Sequence, residues 1–127
     1  IVKTNVDFGQ FTAVQEAGIE ALTNIDPGFI PGMNKLYQAR RDVLIEGLNS
    51  LGWQMEKSKA TFYVWAPVPA GYDSMSFTEA MLEKCGIIVV PGVGYGPSGE
   101  GYVRFALTLD ESRIREAISR MKQNLSL

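Results

Sequence analysis

The 127-residue sequence contains no histidine. Imidazole-based catalytic triads, His-ligated zinc and HExxH metal sites are thereby excluded, because each depends on a nitrogen that is neutral, or switches charge, near neutral pH. Cysteine is nearly as scarce. Cys85 stands alone, so no disulfide framework can form within the chain, and a reducing cytoplasmic compartment is the expectation. An excess of either charge is missing too: 12 basic residues against 14 acidic ones leave a net charge of −2. Basic residues adjoin only at Arg40-Arg41, so nothing favours nucleic acid or an acidic membrane as a partner. No apolar run approaches a bilayer span, and no charged-then-apolar leader opens the chain. The first residue is Ile1 rather than Met, as expected of a piece of a longer protein.

What is present is an ordinary globular composition, 46% hydrophobic and 20% charged. Asp7, with Gln10 three residues on, reads as a helix entrance. Phe11, Val14, Gly18, Ala21, Leu22 and Ile25 then keep helical spacing until Asp26-Pro27-Gly28 stops it. A second helix is predicted from about Met33 to Leu51, with Gly52 at the left-handed cap position. Its apolar stripe includes Leu36, Tyr37, Leu44 and Leu48.

The period then shortens. Thr61 to Ala66 is aromatic and β-branched and predicts a strand ended by Pro67 and Pro69. Ser76-Phe77-Thr78-Glu79 reads as a capping box opening a short helix, with Ala80, Met81 and Cys85 inward and Gly86 closing it. Ile87–Val90 and Tyr102–Thr108 are predicted strands, and Asp110 caps a last helix with the stripe Ile114, Ala117, Ile118, Met121 and Leu125. The expected fold is α/β (α+β): a two-layer small domain whose mixed, mostly antiparallel sheet is covered by helices on one face. A strand-helix-strand portion can form a parallel crossover, and a short loop brings in an antiparallel neighbour. The whole of 1–127 is read as one domain, with 1–52 a helical connection and 53–127 the α/β sandwich.

Two stretches invite a chemical reading. Gly94-Tyr95-Gly96-Pro97-Ser98-Gly99 matches GxGxxG, but a strand follows where a dinucleotide site needs a helix N-terminus, so the match is rejected. Those glycines instead permit positive φ or close backbone approach. In the strand after them, Val103, Phe105 and Leu107 form the core face, which turns Arg104 to the other side. Arg104 is then a solvated strand arginine, or the partner of a nearby acid such as Glu100, or a receptor for a carboxylate or phosphate, whose two oxygens a planar guanidinium can hold at once. Tyr63 and Trp65 read as packing residues, Cys85 as a buried structural thiol, and none of the six lysines occupies the sheltered setting a Schiff base needs. No metal-ligand cluster and no catalytic carboxylate pair is evident.

The segment from Val90-Pro91-Gly92-Val93-Gly94-Tyr95-Gly96 through Gly101-Tyr102-Val103-Arg104-Phe105 resembles the C-terminal signature of class I/II aminotransferases, pyridoxal-phosphate enzymes of fold type I. Ala60-Thr61-Phe62-Tyr63-Val64-Trp65 is similar to their small-domain strand, and Lys3 to Phe11 with Gln15-Glu16-Ala17 to the stretch following their cofactor lysine region. The opening is most similar to the LL-diaminopimelate and aspartate aminotransferase branch. The resemblance implies that Arg104 grips the α-carboxylate of an amino or 2-oxo acid and that Tyr95 lines the substrate pocket. It places Phe8 near the cofactor of a neighbouring subunit, where relatives often carry a small hydroxylated residue. It also implies a cytoplasmic homodimer whose cofactor lysine and phosphate-binding groups lie in a large domain upstream. The chain alone is therefore expected to be inactive. Other fold-type I enzymes, such as a C–S lyase or an amino-acid synthase, and a non-catalytic binding module remain open on these residues.

Overall fold

The structure is a computed structural model and describes Val2, Val6 and residues 9–125. The proposed helix entrance at Asp7 lies outside those residues. By its internal contacts the chain divides into two units, Ile1–Asn34 and Lys35–Leu127.

In the first unit, helix α1 (Thr12–Thr23) has Phe11 at its N-cap position with no side-chain cap, and buries none of its residues. After it, Asp26 Oδ1 accepts the Gly28 N–H at 2.8 Å and turns the chain. Helix α2 (Phe29–Ser50) starts four residues earlier than the apolar spacing indicates. Pro31 falls in its first turn, where N–H groups have no intrahelical acceptor and a proline costs nothing. Apolar spacing cannot register such a turn, because it faces no core.

In the second unit, α2 contributes Val43, Leu44, Ile45 and Leu48 to the core. Its C-terminus closes as the sequence indicates: Gly52 takes φ +101°, its N–H reaches the Asn49 carbonyl at 3.1 Å, and the Trp53 N–H reaches the Leu48 carbonyl at 3.2 Å. That pair of bonds satisfies two carbonyls the helix end leaves open. Strand β1 (Tyr63–Pro67), helix α3 (Ser74–Cys85), strand β2 (Val90–Pro91), strand β3 (Tyr102–Ala106) and helix α4 (Glu111–Asn124) follow.

The sheet order is β1-β3-β2, with both outer strands antiparallel to β3. Strands β1 and β2 therefore run the same way, joined through α3, with β3 inserted between them. The crossover and the antiparallel neighbour both exist, in one sheet. Two local expectations need correcting. The α3 cap is Asp73, whose carboxylate accepts the Ser76 N–H at 2.7 Å while Ser76 Oγ receives the Asp73 N–H, so Ser76 is the third helical residue and not the cap. The expected strand over Ile87–Val90 pairs only at Val90–Pro91. Ile87 is tied to the helix end by its N–H to the Met81 carbonyl at 3.0 Å, and Ile88 is 84% exposed.

The core lies between one face of the sheet and the helices. Val64, Ala66, Val103, Phe105 and Leu107 meet Leu48, Phe77, Met81, Ile114 and Met121 there, all buried. Cys85 joins them, and burial raises its thiol pKa, which makes it an inert packing group. Apolar area removed from water stabilises this arrangement by roughly 25 cal/mol per Å². The other face of the sheet carries a different set of side chains.

Candidate functional site: an arginine on an aromatic face

Pairing across the ladder fixes what shares that face. Arg104 lies opposite Trp65 on one side and Val90 on the other, while Ala106 lies opposite Tyr63 and Tyr102 opposite Pro67. Directly opposed residues point to the same side of a sheet, and diagonal ones remain within reach of long side chains. The Arg104 guanidinium carbon accordingly sits 4.0 Å from the centroid of the Tyr63 ring and 5.0 Å from that of Tyr95. Trp65 stacks on Tyr102 at 5.7 Å and meets Tyr95 edge-on at 5.8 Å. Four aromatic rings and one cation thus cover the solvent side of the sheet.

The glycine-rich segment brings Tyr95 to this group. It makes two short 3₁₀ turns, Gly92–Tyr95 and Pro97–Gly99. The close approach expected of its glycines occurs within the loop itself: a Cβ on Gly92 or on Gly99 would fall 2.0 Å from the other's carbonyl oxygen. Gly96 and Gly101 take φ of +113° and +83°, values that exclude most other residues. Glu100 then pins the loop to α3. Its carboxylate accepts the Ser74 N–H (2.8 Å), the Ser74 hydroxyl (2.8 Å) and the Gly101 N–H (2.7 Å). The Ser74 backbone and hydroxyl bonds, followed by the Gly101 N–H, hold the Glu100 carboxyl below its ordinary pKa.

Glu100 is therefore not the partner of Arg104. Among the described residues Arg41, Arg113, Arg115 and Arg120 sit in ion pairs, and Arg40 donates to the Leu107 and Thr108 carbonyls. Arg104 does neither: it has no carboxylate within ion-pair distance, and its Nε is buried without an acceptor. A half-buried guanidinium with its donors unspent is an open receptor for an oxyanion.

Of the residues singled out from the sequence, Arg104 and Tyr95 meet here; Phe8 lies outside the described residues. Alternation along the strand already puts Tyr102 on the Arg104 side. Tyr63 and Trp65, read as packing residues, were missed as members of this group, although they alternate with the inward Val64 and Ala66 and could have been placed on the outer face by that signal. Among the described residues the lysines do not fit the Schiff-base partner of a cofactor: Lys35, Lys57, Lys59, Lys84 and Lys122 are all exposed. No group of acidic or thiol side chains among the described residues is arranged to hold a metal ion. No helix among them is long and apolar enough to cross a membrane.

Known proteins share this architecture. An aminotransferase from Staphylococcus aureus superposes with a TM-score of 0.87 at 33% identity, over 96% of this chain and 32% of its own length. A probable N-succinyldiaminopimelate aminotransferase from Thermus thermophilus gives 0.86 at 33% identity, over 98% and 33%. Fold and sequence together thus define a domain of aminotransferase type. The family of class I and II aminotransferases matches residues 2–121, and the chain belongs to it. The LL-diaminopimelate aminotransferase of Moorella thermoacetica is 56% identical over 124 residues, 98% of this chain and 32% of the relative. The chain spans about a third of the length of the curated relatives it matches.

Proposed function

We propose that this chain is the substrate-closing small domain of a pyridoxal-phosphate-dependent aminotransferase, in which Arg104 receives the α-carboxylate of an amino acid or 2-oxo acid. The observation that carries the proposal is the guanidinium on the aromatic face, whose donors no group of the described chain claims. Two parallel N–H···O bonds from a guanidinium fix both the position and the plane of a carboxylate, which orients the neighbouring Cα for reaction. Tyr95, 5.0 Å away from the guanidinium carbon, walls that position and is carried on the loop that Glu100 anchors. Pyridoxal phosphate supplies the electron-sink chemistry when bound, from the two-thirds of the relatives' length that this chain does not span.

The names of the relatives support LL-diaminopimelate as the amino substrate, and with it a role in amino-acid biosynthesis. The family resemblance supports a cytoplasmic homodimer, with Phe8 directed to the cofactor of the neighbouring subunit. The test is a titration of the full-length protein with maleate, a dicarboxylate that has no amino group to exchange. Arg104→Ala should weaken binding by about 2–5 kcal/mol, the usual cost of removing one partner of a desolvated charge pair. Unchanged affinity would return Arg104 to the status of a surface residue.

A further inference from the structure

We propose that Tyr63 is a positioning residue for Arg104: its ring face holds the guanidinium and so sets the direction in which the acid group is received. The inference rests on the reading of Arg104 as a carboxylate receptor, and its test separates the two.

A cation held by a ring face keeps all its N–H donors, whereas one held by a carboxylate of its own chain spends them. Tyr63 supplies the first kind of contact, at 4.0 Å from the guanidinium carbon, well inside the range over which ring and cation attract. The ladder makes room for it. Residue 106, directly opposite Tyr63, is alanine, so the long Arg104 side chain can lie diagonally across the ring.

Tyr63 is itself held from two sides. Its ring meets that of Phe62 at 4.4 Å, and Phe62 meets Tyr37 of α2 at 5.8 Å. Its backbone N–H donates to Thr61 Oγ1 at 3.1 Å. Thr61 has φ +67° and is the one non-glycine residue with positive φ among the described residues. A β-branched residue in that region is strained, and strain of this kind persists only where the surroundings impose it. Here it sits two residues before the ring that carries Arg104. The opening of β1 is thus shaped around the placement of Tyr63, beyond what strand pairing alone requires.

The test uses the full-length protein with four replacements at position 63: phenylalanine, two ring-fluorinated phenylalanines and leucine. Maleate affinity, together with KM and kcat for the 2-oxo acid, is measured for each. Tyr63→Phe should match the parent within about twofold, because the ring face is kept. Fluorination drains the ring's negative face at constant shape, so maleate affinity should fall stepwise with fluorine content. Tyr63→Leu should weaken maleate on the order of tenfold, consistent with a cation–ring contact, and raise KM while leaving kcat nearly unchanged, the mark of lost uniform binding. A flat fluorine series, or a Tyr63→Phe protein as impaired as Tyr63→Leu, would overturn the inference. Should Tyr63→Leu not fold, the fluorine series decides. If Arg104→Ala leaves maleate affinity untouched, the receptor reading falls instead.

Discussion

At the scale of single residues, the molecule depends on positions where a side chain is absent as much as on those where one is present. Gly92 and Gly99 touch through their backbones, and a Cβ on either would overlap a carbonyl oxygen that no rotamer change can move. Gly99→Ala should therefore cost about 1–3 kcal/mol or more, the range for overpacking at a fixed site, and a denaturant titration of the chain would read it. A midpoint equal to that of the parent would show that the loop opens freely. Gly47 is tight in another way: there a Cβ would meet side-chain atoms of Ile118, whose β-branched rotamer in α4 is restricted. The sequence reveals that this loop needs glycine but not which partner each glycine approaches, since that partner is seven residues away in a turn of unpredictable path. The direction of Arg104 was legible, because the apolar residues around it alternate strictly. Tyr63 and Trp65 were less so: alternation gives their face, but strands are enriched in aromatic residues on both faces and the pairing with β3 is needed to bring these two to the arginine.

At the scale of elements, the N-terminus of α3 gathers two carboxylates with different tasks. Asp73 caps the helix and Glu100 ties the glycine loop to its first residue. Bonds from Ser76 hold the Asp73 carboxyl below its ordinary pKa, and bonds from Ser74 do the same for Glu100. A carboxylate whose pKa is lowered by folding stabilises the fold above its unfolded value. That contribution disappears as pH falls through the lowered value. For Glu100 the window opens below its ordinary 4.5. Glu100→Gln should thus melt below the parent at pH 7, with the gap closing as the pH is taken down below 4.5. A gap independent of pH would mean that the loop is held without the carboxylate. The element order and the Asp110 cap of α4 could be read from sequence, because each cap precedes a clear apolar stripe. The α3 cap could not be resolved in the same way. Asp73 and Ser76 are both good caps three residues apart, and only the reciprocal bonds between them, the Ser76 N–H to the Asp73 carboxylate and the Asp73 N–H to Ser76 Oγ, show which one starts the helix.

At the scale of the whole molecule, the proposed function divides the receptor for the acid group, on this chain, from the machinery for moving an amino group, in the length of the relatives that this chain does not span. Receiving a carboxylate takes one oriented guanidinium, which a three-stranded sheet can present. Amino-group transfer takes in addition a lysine whose pKa is lowered by its surroundings and a cradle for the cofactor phosphate. The five described lysines are exposed, and Lys57, for one, lies within 3.2–3.3 Å of Asp42 and Glu46, which raise its pKa and move it away from nucleophilic use. Apart from its one guanidinium, the Arg104 face offers aromatic rings, and no lysine among the described residues contacts them. The 127-residue chain mixed with pyridoxal phosphate and an amino acid should accordingly develop no lasting cofactor absorbance beyond that of free solution, and no 2-oxo acid should accumulate. A protein carrying the remaining length of the relatives should show both. Turnover by the chain alone would place the cofactor lysine within these residues and dissolve the division between receptor and machinery.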